Sequence, residues 1–243
     1  MGAAFAWGLL AGSSLVIGGL VALELRVGRT ALGLVMAFGS GVLISAVAYS
    51  LVEDALETSA GGGGVALGLA AGATVFYLGD LWLDRLGAEG RKRASGEQAS
   101  GAPFAIVLGI VLDGIPESIV IGLTLLTGGE ISIAIVAAVF LSNLPEAIAA
   151  TTGLAESGWA RRRILALWGV VALVSALAAV VGYGAFGDAS PRTNAFVLAF
   201  AGGAILTMLA DTMMPEAFEH GGKRVGLATT LGFGLALALT ALE

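Results

Sequence analysis

The stretch Leu112-Asp113-Gly114-Ile115-Pro116-Glu117 lies in the middle of an apolar run from Ala102 to Thr127. A run of that length spans a bilayer as a helix, which takes about 20 mostly apolar residues. Two carboxylates and a proline have no ordinary place at its centre. A second run, Ile131 to Leu154, carries Ser142-Asn143-Leu144-Pro145-Glu146 at matching depth. A third, Asn194 to Phe218, carries Asp211-Thr212-Met213-Met214-Pro215-Glu216. Repeated Pro-Glu pairs inside hydrophobic segments are the main pointer to function.

Composition sets the frame. Of 243 residues, 57% are hydrophobic and only 12% charged, and the mean hydropathy is +0.94. A soluble domain carries about 25% charged residues. The fold class expected is therefore an all-α integral membrane protein. The 38 glycines fit close helix packing in lipid, where small residues let backbones approach. A formal charge of -6 argues against nucleic acid as a partner. With no cysteine, disulfides and thiolate metal sites drop out together. His220 is the one histidine, so a multi-histidine metal site drops out as well.

The pattern predicts one domain over residues 1–243, an eight-helix transmembrane bundle. The segments are 1–25, 30–52, 63–86, 102–127, 131–154, 163–186, 194–218 and 225–242. The first is not a secretory signal, because no basic residue precedes it and it is too long. Gly61-Gly62-Gly63-Gly64 reads as a hinge or tight turn, Gly128-Gly129-Glu130 as a short turn, and residues 87–101 as a cytoplasmic loop. Odd-numbered connections hold eleven of the twelve basic residues; even-numbered ones hold only Arg192. The odd connections are therefore cytoplasmic and both termini extracytoplasmic. This predicts a multi-pass protein of the cell (plasma or inner) membrane. Arg161-Arg162-Arg163 needs no role beyond that of a topology signal. Glu53, Asp54, Glu57, Glu130 and Asp188 fall in outer loops. They are either ordinary solvated charge or an acidic mouth that concentrates cations.

A charge at mid-membrane costs about 2.5–3.5 kcal/mol on insertion scales. Asp113, Glu117, Glu146 and Asp211 sit well inside their segments, and no Lys or Arg lies within any apolar core. These acids must be protonated, face water or hold a cation. A bound divalent ion would keep them ionised. Asp113 and Glu117 are four residues apart, hence on one helical face. Ser142 with Glu146 repeats that spacing, as does Thr212 with Glu216. Each proline cannot donate to the carbonyl four residues back, which frees those of Leu112, Leu141 and Asp211. Asn143 adds an amide oxygen. The bland alternative is that the prolines are kinks and the acids protonated packing groups; three such segments weigh against it. Glu216 lies near the cytoplasmic end, where solvation is the default, and Glu219 and His220 read as loop residues beyond it.

These motifs resemble those of the ZIP family of zinc and iron transporters, over essentially the full chain. The family's fourth helix carries His-Asn-x-Pro-Glu-Gly. Here the stretch is Asp113-Gly114-Ile115-Pro116-Glu117-Ser118, which keeps the Pro-Glu pair. The family's fifth helix carries a polar residue, Asn or Asp, then x-Pro-Glu-Gly, close to Ser142-Asn143-Leu144-Pro145-Glu146-Ala147. Bacterial members often have His-Glu-x-x-Pro-Glu on the seventh, where this chain has Asp211 through Glu216. Phe38-Gly39-Ser40-Gly41 is similar to a small-residue pattern on the second. The resemblance implies eight helices, outward termini and a binuclear site between the fourth and fifth helices with a contribution from the seventh. It implies metal ligation by Asp113, Glu117, Ser142, Asn143, Glu146, Asp211 and Thr212. Gly114 stands where the family has Asn, which removes one oxygen. The loop 87–101 lacks the histidines that family members often carry there.

The expected function is uptake of a divalent metal ion, such as Zn²⁺, Fe²⁺ or Mn²⁺, as a transported substrate with no catalytic cofactor. An all-oxygen site favours the harder ions, Mn²⁺, Mg²⁺ or Ca²⁺. The alternatives are a proton-coupled carrier of another solute, with the acids as relays, and a transport-inactive membrane sensor or scaffold. An enzyme is not expected: an aspartyl hydrolase built from Asp80 and Asp113 is the nearest candidate, and Asp80 lies near a helix end. The expected partners are the lipid bilayer and the ion. A homodimer is open, since Gly202-Gly203 suits internal packing or a dimer seam equally.

Overall fold

The computed structural model describes residues 1–59, 62–85, 103–127 and 132–242. The side chains of 103–107 and 127 lie outside the description, as do the predicted loop 87–101 and the turn Gly128-Gly129-Glu130. Among the described residues every regular element is helical. They are α1 (Gly2–Glu24), α2 (Arg29–Ala46), α3 (Glu53–Thr58), α4 (Gly62–Leu83), α5 (Pro103–Thr127), α6 (Ile133–Glu156), α7 (Arg161–Phe186), α8 (Pro191–Met208), α9 (Met214–Gly221) and α10 (Val225–Thr240). A π-helical turn, Val47–Val52, joins α2 to α3, and another, Leu209–Met213, joins α8 to α9. In lipid the backbone must satisfy its own polar groups, which is why apolar runs become helices.

Among the described residues, seven helices are long and apolar enough to cross a membrane. The last of these runs for 50 residues, Pro191–Thr240. At 1.5 Å per residue it would reach about 75 Å if straight, against a hydrocarbon core of about 30 Å. It is not straight. A 3₁₀ turn, Gly222–Arg224, separates α9 from α10, and Gly222 adopts φ 58°, a region that other residues seldom occupy.

Several expectations change at the helix ends. Glu53, Asp54 and Glu57 belong to the helical extension α3 rather than to a loop. Gly62, Gly63 and Gly64 form the first turn of α4. Glu219 and His220 lie on α9. The basic cluster does more than mark topology. Arg161 pairs with Glu24, tying the end of α1 to the start of α7. Arg163 lies over the Trp159 ring, 3.8 Å from its centre.

Glycines bring the helices together in two groups. In the first, α1 meets α7 at Gly8 and Gly12, against Ala176 and Ala172. As α1 advances α7 recedes, so this pair is antiparallel. Gly18 seats α1 on α6, and Gly122 with Gly182 seats α5 on α7. Trp168, fully buried, donates from Nε1 to Thr151 Oγ1 at 2.8 Å within this group. In the second, α2 meets α10 where a methyl on Gly41 would overlap the Thr229 carbonyl and one on Gly232 that of Phe38. There too, Gly68 faces Phe196 and Gly72 faces Phe200, so α4 and α8 run parallel. Between the groups the backbone approach is sparser; Gly39 of α2 against the Leu141 carbonyl of α6 is one such place.

Gly72→Ala is expected to destabilise the protein by about 1–3 kcal/mol through overpacking against the Phe200 carbonyl. Gly64→Ala, with nothing within 4 Å, should gain up to about 1 kcal/mol of helix propensity. Thermal unfolding in detergent reads both.

Candidate metal centre

α5 ends at Thr127 and α6 begins at Ile133, so the two are antiparallel neighbours. Their contact register is set at one point. Ser142 Oγ of α6 lies 3.4 Å from Glu117 Oε1 of α5. Pairing those two positions in an antiparallel register puts Asp113 at the level of Glu146, about one helical turn away. The four residues therefore occupy the facing sides of α5 and α6. All are buried: Asp113 and Glu146 are 2% exposed, Glu117 1% and Ser142 0%. Both helices continue through their internal prolines, Pro116 and Pro145.

The Ser142–Glu117 contact is longer than an ordinary hydroxyl–carboxylate bond, which falls at about 2.5–3.0 Å. The Ser142 hydroxyl has a nearer acceptor, the Val139 carbonyl at 3.1 Å. It carries one proton, so it can donate either to the Val139 carbonyl or to Glu117 Oε1.

Glu117 also lines a cavity at the boundary between the two helix groups. The opposite wall is Leu43, Ala46, Val47 and Leu51 from α2 and its π-turn, with Ile205 of α8. The cavity is about 10 Å³, and apart from Glu117 its lining is aliphatic. Asn143 faces a different cavity of the same size, shared with Gly114 and with Ser175 of α7. A Cβ on Gly114 would find only Ser175 Oγ within 4 Å, at 3.9 Å. Asn143 is buried but lies on a separate side from the Glu117 cavity.

The segment expected to complete the site departs from expectation. Asp211 is exposed, and Thr212 donates to the Met208 carbonyl of its own helix at 2.6 Å. The π-turn Leu209–Met213 changes the helical phase just before Pro215, so spacing counted on a regular helix misplaces both. The same shift buries Glu216, 7% exposed, where solvation was expected. His220 Nε2 lies 3.2 Å from Glu216 Oε1, one turn on. That i, i+4 pair was readable in the sequence, but both positions had been assigned to the solvated end. Asp80 is half-buried on α4.

Fold and geometry together define a helical, multi-pass membrane protein with acids gathered inside it. No family model matches the chain, and no curated protein matches it.

Glu216→Ala would leave the partly buried His220 ring without this partner, at a cost of about 1–3 kcal/mol. Glu219→Ala, at an exposed position, should stay within about 0.5 kcal/mol. The melting temperatures of the two variants check this.

Proposed function

We propose that the protein is a carrier of a divalent metal cation, with the cation held as cargo between α5 and α6. Asp113, Glu117 and Glu146 supply the charge and Ser142 a neutral oxygen. The observation that carries the reading is the Ser142–Glu117 contact, which sets two carboxylate-bearing faces against each other inside the bundle. Ionised carboxylates about 6 Å apart repel by about 3 kcal/mol per pair at an effective dielectric of about 20. A divalent ion between them reverses that sign. Protons would remove the charge too; the neutral oxygen of Ser142 beside Glu117 is what favours the cation.

The ligands are all oxygens, which suits Mn²⁺, Mg²⁺ or Ca²⁺ better than Zn²⁺. Asn143, Asp211 and Thr212 are left out of the proposed shell, so the ZIP-like pattern is kept on the fourth crossing, kept only in part on the fifth and altered on the seventh. The break at Gly222 supports counting α8–α9 and α10 as separate crossings, eight in all. The antiparallel α1–α7 pair and parallel α4–α8 pair fit the first, sixth, third and seventh of a strictly alternating chain. With basic residues in the odd connections, both termini then face outward. Glu117 lies where the helix groups meet, so sliding one group past the other would carry the ion from one side to the other.

In proteoliposomes, uptake of Mn²⁺ or Zn²⁺ should fall below about a tenth in Glu117→Ala and in Glu146→Ala, the scale expected for losing an intramembrane ion ligand. Asp211→Ala should keep at least about half, as a surface position away from the ion. Normal uptake in both glutamate variants would end the proposal. Metal-independent solute transport with steep pH dependence would replace it with a proton-coupled carrier.

A further inference from the structure

Helix hydroxyls in this protein commonly turn back onto their own backbone, as Ser40 does to the Met36 carbonyl at 2.9 Å and Thr207 to the Gly203 carbonyl at 3.0 Å. Ser175 of α7 does not. It is 5% exposed, and Asn143 of α6 is 3% exposed. Among the described residues, neither side chain has a hydrogen-bond partner. A buried hydroxyl and a buried amide left so are costly, and they ask for an explanation. Both line one cavity of about 10 Å³, with Gly114 of α5 beside them. The glycine is what makes the room. Along the same α5–α7 contact, a methyl on Gly122 or Gly182 would run into backbone of the opposite helix. One on Gly114 would meet only Ser175 Oγ, at 3.9 Å. Gly114 therefore leaves a space rather than a contact, and the space has a hydroxyl on its far side.

We infer that this pocket is a binding site for a single water, held between Asn143 and Ser175. A cavity of about 10 Å³ is the least that one water needs, and a buried water takes two to four polar partners. The amide offers two donors and an acceptor, and the hydroxyl one donor and its lone pairs, so these two side chains meet that need. The rest of the lining is aliphatic apart from Gly114, with no carboxylate among it. A divalent ion, which takes about six oxygens and draws on carboxylates, does not fit. The water ties α6 to α7 through side chains that do not bond to each other, across the gap that Gly114 opens in α5. The site follows Asp113 by one residue on α5 and Ser142 by one on α6. It goes beyond the carrier reading and needs no metal.

The test is a double-substitution cycle on the purified full chain, read as melting temperature in detergent. Asn143→Leu and Ser175→Ala each remove one anchor of the water and strand the other. Each alone should lower the melting temperature by about 2–6 °C. Combined, they should cost clearly less than the two drops added, because the second substitution removes a group already stranded. Additive drops would mean that the two side chains share no ligand, and would overturn the inference. Gly114→Ala checks it without touching either polar group. Its methyl would take the place of the water, so the melting temperature should fall although alanine is the better helix former. A rise would mean a dry cavity usefully filled, and would also overturn it. The drop in Ser175→Ala should be the same in sodium, potassium and choline chloride, with or without EDTA. A drop seen with one cation alone would identify an ion in place of the water.

Discussion

Carboxylates shut away from water must find their balance of charge nearby, and the arrangement of α5 and α6 is governed by that demand. Neither helix contains a basic residue. Asp113, Glu117, Ser142 and Glu146 are all buried, and a Ser142–Glu117 contact at 3.4 Å sets the register of the two helices. Such an interior space is unfavourable when dry and fully ionised. It becomes favourable with a proton or a cation in it, which makes occupancy and structure one equilibrium.

The remaining helices serve that space by where their glycines allow contact. Hydrophobic burial drives little association between helices already in lipid, so close backbone approach has to do it. Gly8, Gly12, Gly18, Gly122 and Gly182 bind α1, α5, α6 and α7 to one another. Gly41, Gly72, Gly203 and Gly232 do the same for α2, α4, α8 and α10. The Glu117 cavity lies between these sets rather than inside either.

Much of this was legible in the chain. Long apolar runs gave the helices because lipid offers backbone groups no other partner. The ends were misread where composition misled. Glu53, Asp54 and Glu57 read as loop although an acidic first turn suits a helix, and Gly62 to Gly64 read as a hinge although they open one. At the site, four-residue spacing correctly put Asp113 beside Glu117 and Ser142 beside Glu146. The match of Glu117 to Ser142 was not legible, since it depends on how two helices dock. The exposure of Asp211 and the burial of Glu216 were not legible for one shared reason. Each lies in or just after a π-turn, and a π-turn has no signature in residue order that a count by fours can detect.

The bond from Trp168 to Thr151 has an optical consequence. Trp168 is an indole locked in a dry interior with a fixed hydroxyl acceptor, whereas Trp82, 57% exposed, looks outward from α4. Trp159 differs again, with the Arg163 guanidinium across its ring. Native emission from this protein is therefore a sum of chromophores in separate surroundings. Dibrominated acyl chains would darken the outward-facing Trp82 and spare the interior Trp168.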